Sequence, residues 1–436
     1  MTTRKSRRDF IRTTAGAAAA VSAMSGSAWA EYVGCDDPVP QGTPGAAPAA
    51  GEPVRIGVIG TGGMGTGHVE AFARFARNNT ADVRVEALCD VCEPRLQAAK
   101  KKLAALQDGD VATYGQARDL LARTDIHGVV IASPEHWHAR HAEEALLAGK
   151  DVYVEKPMTL NLKDALRLRK VVQKHPERVF VVGTQYVMTP SYSAAQQLIA
   201  EGTIGKPVWS QTSYCRNSKD GEWLYYEIDP EWKPGVNLDW KTWCGPLGQA
   251  PWDPAIYARW RRYRRYSTGI IGDLLVHQIT PMIMAMNLGW PTRVVASGGH
   301  YIDKAMENHD QVNINVEFED EHTMIVAGST CNELGLEKVI HGRKGNLFVG
   351  GQTATLRPEQ LFADEVDERQ IPAAGRGDSQ NNLRLAWLDC IRTRKPSPSP
   401  VDLGTKVMVI VDLATRSLWE GGAFGYVPEK HKVYRI

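Results

Sequence analysis

One turn constrains this chain more than any other feature. Gly60-Thr61-Gly62-Gly63-Met64-Gly65 sits between an apolar, β-branched run, Val54–Ile59, and a segment of helical periodicity. A G-x-G-x-x-G turn from strand to helix has a physical logic. The first glycine permits the tight turn, the second admits a pyrophosphate against the backbone, and the third lets helix and strand pack. The helix N-terminus then presents unpaired N–H groups and positive potential to phosphates. Asp90 lies 25 residues beyond Gly65, at the end of the next apolar run. A carboxylate there accepts hydrogen bonds from a ribose diol and repels a 2′-phosphate, so the pattern predicts NAD rather than NADP.

Around this turn the chain alternates. Short apolar runs at 54–59, 83–88, 128–132, 151–154 and 179–182 are separated by helix-like segments near 64–77, 93–106, 136–148 and 162–174. Such alternation predicts an α/β unit, a parallel sheet with helices on both faces. Beyond about residue 190 the texture changes. A helix near 190–201 leads to a strand at 207–215. A stretch rich in Trp, Tyr and Pro then runs to about 266, and a helix is expected near 270–287. Runs at 292–298, 311–318, 323–330, 338–342 and 346–349 predict an α+β unit on an open, mainly antiparallel sheet. Helices near 379–393 and 403–420 close the chain and are free to pack back on the first unit. The expected division is 53–188 for the Rossmann domain and 189–436 for a substrate and oligomerisation domain.

The N-terminus stands apart. Ser6-Arg7-Arg8-Asp9-Phe10-Ile11-Arg12, the apolar stretch from Ala15 to Met24, and Ala28-Trp29-Ala30 follow one another as in a twin-arginine export signal. Residues 1–30 are therefore expected to be removed, with 31–52 a flexible linker rich in Pro, Gly and Ala. That route carries folded proteins, which suits a chain that must load a dinucleotide before export. It implies a periplasmic or otherwise exported location and the export machinery as a partner. The signal holds five cations and one acid, so its removal takes the formal net charge from +1 to −3. A mildly acidic remainder gives no reason to expect nucleic acid. No apolar run of transmembrane length is present. The seven cysteines form no spaced framework, and no metal is expected. Cys35 lies in a poor lipid-attachment context.

Three further segments carry a resemblance. Ser133-Pro134-Glu135-His136-Trp137-His138 follows the fourth strand, Gly149–Pro157 spans the fifth and ends in Glu155-Lys156-Pro157, and Gly272-Asp273-Leu274-Leu275-Val276-His277 opens a helix. With the glycine turn, these resemble the Gfo/Idh/MocA family of glucose-fructose oxidoreductase-like enzymes over about 54 to 436. The resemblance implies that Lys156 lies between nicotinamide and substrate, and that Asp273 and His277 are the family's Asp-x-x-x-His pair. It also implies that Gly60, Gly62, Gly63, Met64, Gly65, Asp90, Ser133, Pro134, Trp137, His138, Glu155, Lys156 and Gln185 line the dinucleotide. A carbohydrate substrate and a homo-oligomer paired through the outer face of the open sheet follow from it as well.

The residue types suit that chemistry. Oxidising a secondary alcohol needs a base for the hydroxyl proton and a cation or donor for the developing alkoxide. His277 and Lys156 supply both, and either assignment of base and helper is open. Asp273 and His277 are four apart and share a helix face, where the carboxylate would orient the imidazole or hold a hydroxyl. Taken alone, such a pair is more often a surface contact, or half of a metal site, for which no further ligand cluster is evident. Arg259-Trp260-Arg261-Arg262-Tyr263-Arg264-Arg265-Tyr266 interleaves cations with aromatics. It reads either as a sugar-binding wall, with Arg259 and Trp260 on the substrate, or as a solvated arginine face over core aromatics. Tyr186, Tyr214 and Trp223 are further substrate candidates. The expected function is an NAD-dependent oxidoreductase acting on a sugar, polyol or glycoside. The alternatives are a redox-neutral glycosidase and a non-catalytic sugar-binding protein.

Overall fold

The computed structural model describes residues 47–372 and 378–436. The residues expected to form an export signal, those of the expected linker as far as residue 46, and Cys35 lie outside the described residues. Six parallel strands, β1 (Val54–Ile59), β2 (Val83–Cys89), β3 (Ala112–Tyr114), β4 (Gly128–Ile131), β5 (Asp151–Val154) and β6 (Phe180–Val182), form a sheet in the order β3-β2-β1-β4-β5-β6. The helices between them are α1 (Gly63–Arg77), α2 (Glu93–Ala104), α3 (Ala117–Leu121), α4 (Glu135–Leu147) and α5 (Leu162–Lys174). Every residue of β4, β5 and β6 is buried, which is why these runs read as continuous rather than alternating hydrophobics. β3 has three half-buried residues, too few to leave a period in the sequence. The strand order reverses between β1 and β4. That reversal opens a crevice at the carboxyl ends of these strands, where the Gly60 turn and Ser133 meet.

After α6 (Pro190–Ala200), a second sheet of eleven strands is seen among the described residues. It comprises β7 (Pro207–Asn217), β8 (Pro291–Gly299), β9 (Gln311–Phe318), β10 (His322–Ser329), β11 (Cys331–Asn332), β12 (Val339–Gly342), β13 (Gly345–Phe348), β14 (Thr353–Pro358), β15 (Arg369–Pro372), β16 (Ala423–Val427) and β17 (Lys432–Arg435). The sheet is mainly antiparallel, as expected, but β7 and β10 pair in parallel. The hundred-residue excursion between them supplies the crossover that parallel neighbours need. That excursion contains α7 (Trp240–Cys244) and α8 (Pro254–Arg259).

The helix expected near 270–287 is not uniform. It begins as a π-helical turn, Ile271–Leu275, and continues as α9 (Val276–Met286). Such turns widen the local spiral and change where a side chain points. The last helices, α10 (Ser379–Thr393) and α11 (Val401–Glu420), do pack back. Trp387 of α10 is fully buried against Phe72 of α1 and Tyr153 of β5, with ring centroids 5.9 Å away in both cases. A Cβ at Gly128 would come within 2.9 Å of the Trp387 ring, so the sheet must present a glycine there.

Candidate active site

The glycine turn is shaped by close approach. Gly60 has φ +88°, and a Cβ there would lie 2.5 Å from the Ser133 nitrogen. A Cβ at Gly65 would lie 1.7 Å from the Gly60 carbonyl oxygen, so only glycine lets α1 leave the turn at this angle. Asp90 fastens the turn from below. Its Oδ2 accepts from the Thr61 N–H at 2.6 Å and the Thr61 hydroxyl at 3.1 Å, and its Oδ1 accepts from the Cys92 N–H at 2.9 Å.

A cavity of about 710 Å³ opens over this turn. Gly60, Gly62, Gly63, Met64, Asp90, Ser133, Pro134, Trp137, His138, Glu155 and Lys156 line one side of it. Tyr226, Trp243, Tyr257, Trp260 and Arg261 of the aromatic excursion line the other. Gly65, Gln185, Asp273, His277, Tyr186 and Tyr214 are not on this lining. Gly65 acts beneath the turn, and Gln185 opens a short 3-10 turn after β6.

The excursion roofs the cavity. Glu93 N–H donates to the Asn237 carbonyl, and Asp239 N–H to the Val91 carbonyl, both at 2.9 Å. The Trp243 carbonyl accepts from His136 Nε2 at 2.8 Å and from Trp137 Nε1 at 2.9 Å. The Arg95 guanidinium lies 4.9 Å from the Trp232 ring centre and 4.6 Å from that of Tyr257. Trp137 and His138 are thereby partly committed to the protein itself. Trp137 also stacks on His141 at 4.5 Å, and His138 places its two ring nitrogens 2.7 Å from the carbonyls of Pro157 and Ser133.

At the end of this cavity stands a charged cluster. Lys156 Nζ donates to Asp273 Oδ1 at 2.9 Å and to the Asp273 carbonyl at 2.7 Å. Arg261 Nε donates to the same Oδ1 at 2.7 Å, and its guanidinium lies 4.1 Å over the Trp260 ring. Burial opposes the Asp273 charge, but the Lys156 and Arg261 cations hold its carboxyl well below the usual range. The carboxylate therefore serves Lys156 and Arg261, and no hydrogen bond joins it to the His277 imidazole. The π-helical turn carries Asp273 off the α-helical line to which four-residue spacing would assign it.

His277 is buried, and its Nδ1 has no hydrogen-bond partner among the described residues. Burial, then the Lys156 cation, pulls its pKa down to about 3, so the ring is neutral. The rings of Tyr186 and Tyr214 flank it, 5.4 and 6.2 Å away. Arg259 turns away, donating from Nε to the Tyr226 carbonyl, and does not line the cavity. Trp223 is buried in the core.

Glu155 accepts from His68 Nε2 at 2.9 Å, while Arg384 of α10 donates to His68 Nδ1 at 3.0 Å. Arginine is only a donor, so His68 is a neutral ring that donates to Glu155. Burial opposes the Glu155 charge, yet the His68 hydrogen bond and Lys156 hold it down to about 2. Glu135 is the opposite case. It is 1% exposed, accepts from the Ser267 hydroxyl at 2.8 Å, and is pushed up to about 8 by burial and the Asp273 charge. Sequence reasoning did not single out Glu135, His68, Arg261 or Arg384 as site residues. They are brought to the cluster by packing and leave no local signature.

The glycine turn, the carboxylate at Asp90 and the cavity between them fit a dinucleotide. Residues 54–183 match the family described as "Oxidoreductase family, NAD-binding Rossmann fold", and residues 196–427 match its "C-terminal alpha/beta domain". The chain belongs to the Gfo/Idh/MocA oxidoreductase family. Its first domain is an NAD-binding Rossmann domain. Among Gfo/Idh/MocA relatives, inositol 2-dehydrogenase of Salmonella typhimurium is 29% identical over 199 residues, 43% of this chain and 56% of that protein. A glycosyl hydrolase family 109 protein of Shewanella baltica is 27% identical over 238 residues, 51% of this chain and 48% of that protein. The chain thus spans about half the length of these curated relatives. The structure of levoglucosan dehydrogenase in complex with NADH has the same fold, with a TM-score of 0.66 at 18% identity over 85% of this chain and 98% of that one.

Proposed function

We propose that this Gfo/Idh/MocA protein moves a hydride between a hydroxyl-bearing carbon of a sugar, polyol or glycoside and a tightly held NAD. The observation that carries the reading is the Lys156–Asp273 pair beside a neutral His277 whose Nδ1 has no partner. Bound NAD supplies the hydride acceptor. Gly60, Gly62 and Gly63 would take its pyrophosphate, Asp90 its ribose, and Lys156 would stand at the nicotinamide end. The neutral His277 ring accepts a hydrogen bond from the hydroxyl and takes its proton as the hydride leaves, a role closed to an imidazolium and one for which substrate and cofactor must raise a pKa that burial holds at about 3. Lys156, oriented by Asp273, donates to the oxygen as it gains negative charge.

A second reading, a redox-neutral glycosidase, is favoured by the roof. The aromatic excursion is hydrogen-bonded across the cavity mouth, which suits a cofactor recycled within each turnover. Such an enzyme oxidises a ring hydroxyl, eliminates the aglycone, adds water and reduces the ring again. Residues 1–30 are, on this proposal, a twin-arginine signal, and the protein works in the periplasm, where no cytoplasmic NAD pool is at hand. A homo-oligomer paired through the outer face of the second sheet completes the proposal. Among the described residues, no helix is long and apolar enough to cross a membrane.

The test is to purify the mature chain, assay bound NAD, and offer sugars and aryl glycosides in deuterated water. Net NADH formation supports the dehydrogenase. Aglycone release with ring-hydrogen exchange and no net NADH supports the glycosidase. A chain with no affinity for dinucleotide overturns both.

A further inference from the structure

Tyr214 and Arg216 are two apart on β7, so their side chains leave the same face of the strand. The Tyr214 ring lies beside His277, and the Arg216 guanidinium lies 5.9 Å from the Tyr214 ring centre. The charge of Arg216 reaches both Asp273 and His277. Arg216 is thus a further cation on the Tyr214–His277 side of the cluster, behind the cavity lined by Lys156 and Arg261.

This guanidinium is held rigidly. Its Nε donates to Glu222 Oε2 at 3.0 Å, and its Nη2 pairs with Glu222 Oε1. Glu222 is 1% exposed and also accepts from the Ser218 hydroxyl at 2.7 Å and the Tyr225 hydroxyl at 3.0 Å. Its backbone carbonyl receives Arg262 Nη1 at 2.7 Å, and Arg262 is itself clamped on both oxygens of Asp303. Arg216 therefore spends one edge on a saturated carboxylate. Its Nη1 has no partner among the described residues, and the side chain is one-third exposed. A pre-oriented guanidinium edge is suited to a planar carboxylate.

We infer that the substrate is a sugar acid, a uronate or aldonate, whose carboxylate is received by Arg216. This rests on the hydride-transfer reading of the same site and names its substrate class. The step is unchanged: the C–H bond of the oxidised carbon breaks with its electron pair going to the nicotinamide, and the hydroxyl proton goes to the protein.

The experiment uses the NAD-loaded full chain and matched pairs: glucose with glucuronate, galactose with galacturonate, and each uronate with its methyl ester. NADH formation and ring-hydrogen exchange are both followed. Expected is a kcat/KM for the free acids about tenfold to a hundredfold above the neutral partners, the worth of one charge-assisted hydrogen-bonded contact. Arg216→Gln should shrink that ratio by a similar factor through KM, with Arg216→Lys intermediate. The methyl esters test the point on the unmodified chain, whatever the variants' folding. Equal or better turnover of neutral sugars and esters overturns the sugar-acid inference and leaves hydride transfer standing. No hydride transfer to any member, in a chain that holds NAD, overturns both.

Discussion

Lys156 Nζ sits 2.9 Å from Asp273 Oδ1 and 2.7 Å from the carbonyl oxygen of the same residue. Both side chains are close to nine-tenths buried, and Arg261 shares the carboxylate oxygen. The pair joins the end of the Rossmann sheet to the first turn of the helix in the second domain. Two of the three ammonium protons are spent on this turn, and the third remains for a substrate oxygen. Lys156→Met is expected to lower kcat by about a hundredfold or more, the usual loss for a removed oxyanion donor. Bound NAD, assayed by its release on denaturation, should persist, since the glycine turn is untouched. Loss of NAD with activity would show that Lys156 holds the cofactor rather than the transition state.

The glycine turn gives an internal contrast. A Cβ at Gly65 meets the Gly60 carbonyl at 1.7 Å, whereas a Cβ at Gly63 meets nothing within 4 Å. Gly65→Ala should abolish NAD retention and lower the melting temperature. Gly63→Ala should leave the melting temperature of the NAD-free protein within a few degrees of wild type. Calorimetry of both, with and without NAD, reads the difference. Equal behaviour would remove the steric account of the turn.

Glu135 makes stability depend on pH. Its folded pKa is pushed up to about 8 from an ordinary 4.5 by burial and Asp273. Between these values the folded chain keeps a proton that the unfolded chain has lost, so this group costs stability as pH rises from about 4.5 to 8. Glu135→Gln should therefore raise the melting temperature at pH 8 relative to wild type, by more than at pH 4.5. A gain independent of pH would place the effect in packing.

The buried imidazoles act in the opposite sense. Burial above all pulls His136 down to about 4 and His141 and His277 down to about 3. Below about 6.5 the unfolded chain takes up protons that the folded chain refuses, so their contribution falls steadily with acidification. Melting temperature should drop between pH 6.5 and 4.5, and His141→Gln should flatten that slope. An unchanged slope would mean that this ring titrates in the folded state.

Trp387 fixes α10 against the Rossmann sheet with no exposed surface. Trp387→Ala should cost about 3–5 kcal/mol by leaving a cavity between Phe72, Tyr153 and Gly128. Denaturant unfolding measures it. A loss under about 1 kcal/mol would show that the helix is dispensable to the first domain.

Much of this was legible from residue order because the signals are local. The β1–Gly60–α1 turn, Asp90 at the end of β2 and the Glu155-Lys156-Pro157 segment each fall within a few residues of the element that creates them. Short edge strands such as Ala112–Tyr114, and the late strands Thr353–Pro358 and Lys432–Arg435, were not legible. Three to six residues carry too little periodicity, whether at an edge, as for Ala112–Tyr114 and Lys432–Arg435, or between two partners, as for Thr353–Pro358. Glu135, Arg261 and Arg216 escaped as site residues for another reason: their partners Asp273 and Glu222 are set by packing and not by spacing.

The sequence alone determined a dinucleotide turn, an alternating α/β first half and the residues able to move a proton. Those depend on backbone sterics and periods of two and 3.6, which are written into neighbouring positions. The tertiary structure decided which carboxylate serves which cation. A π-helical turn swings Asp273 to Lys156 and Arg261, and a hundred-residue excursion lays its aromatics over the cavity. Charges and burial act through space, so the lowered pKa of His277 and the protonated state of Glu135 at neutral pH exist only in the folded chain.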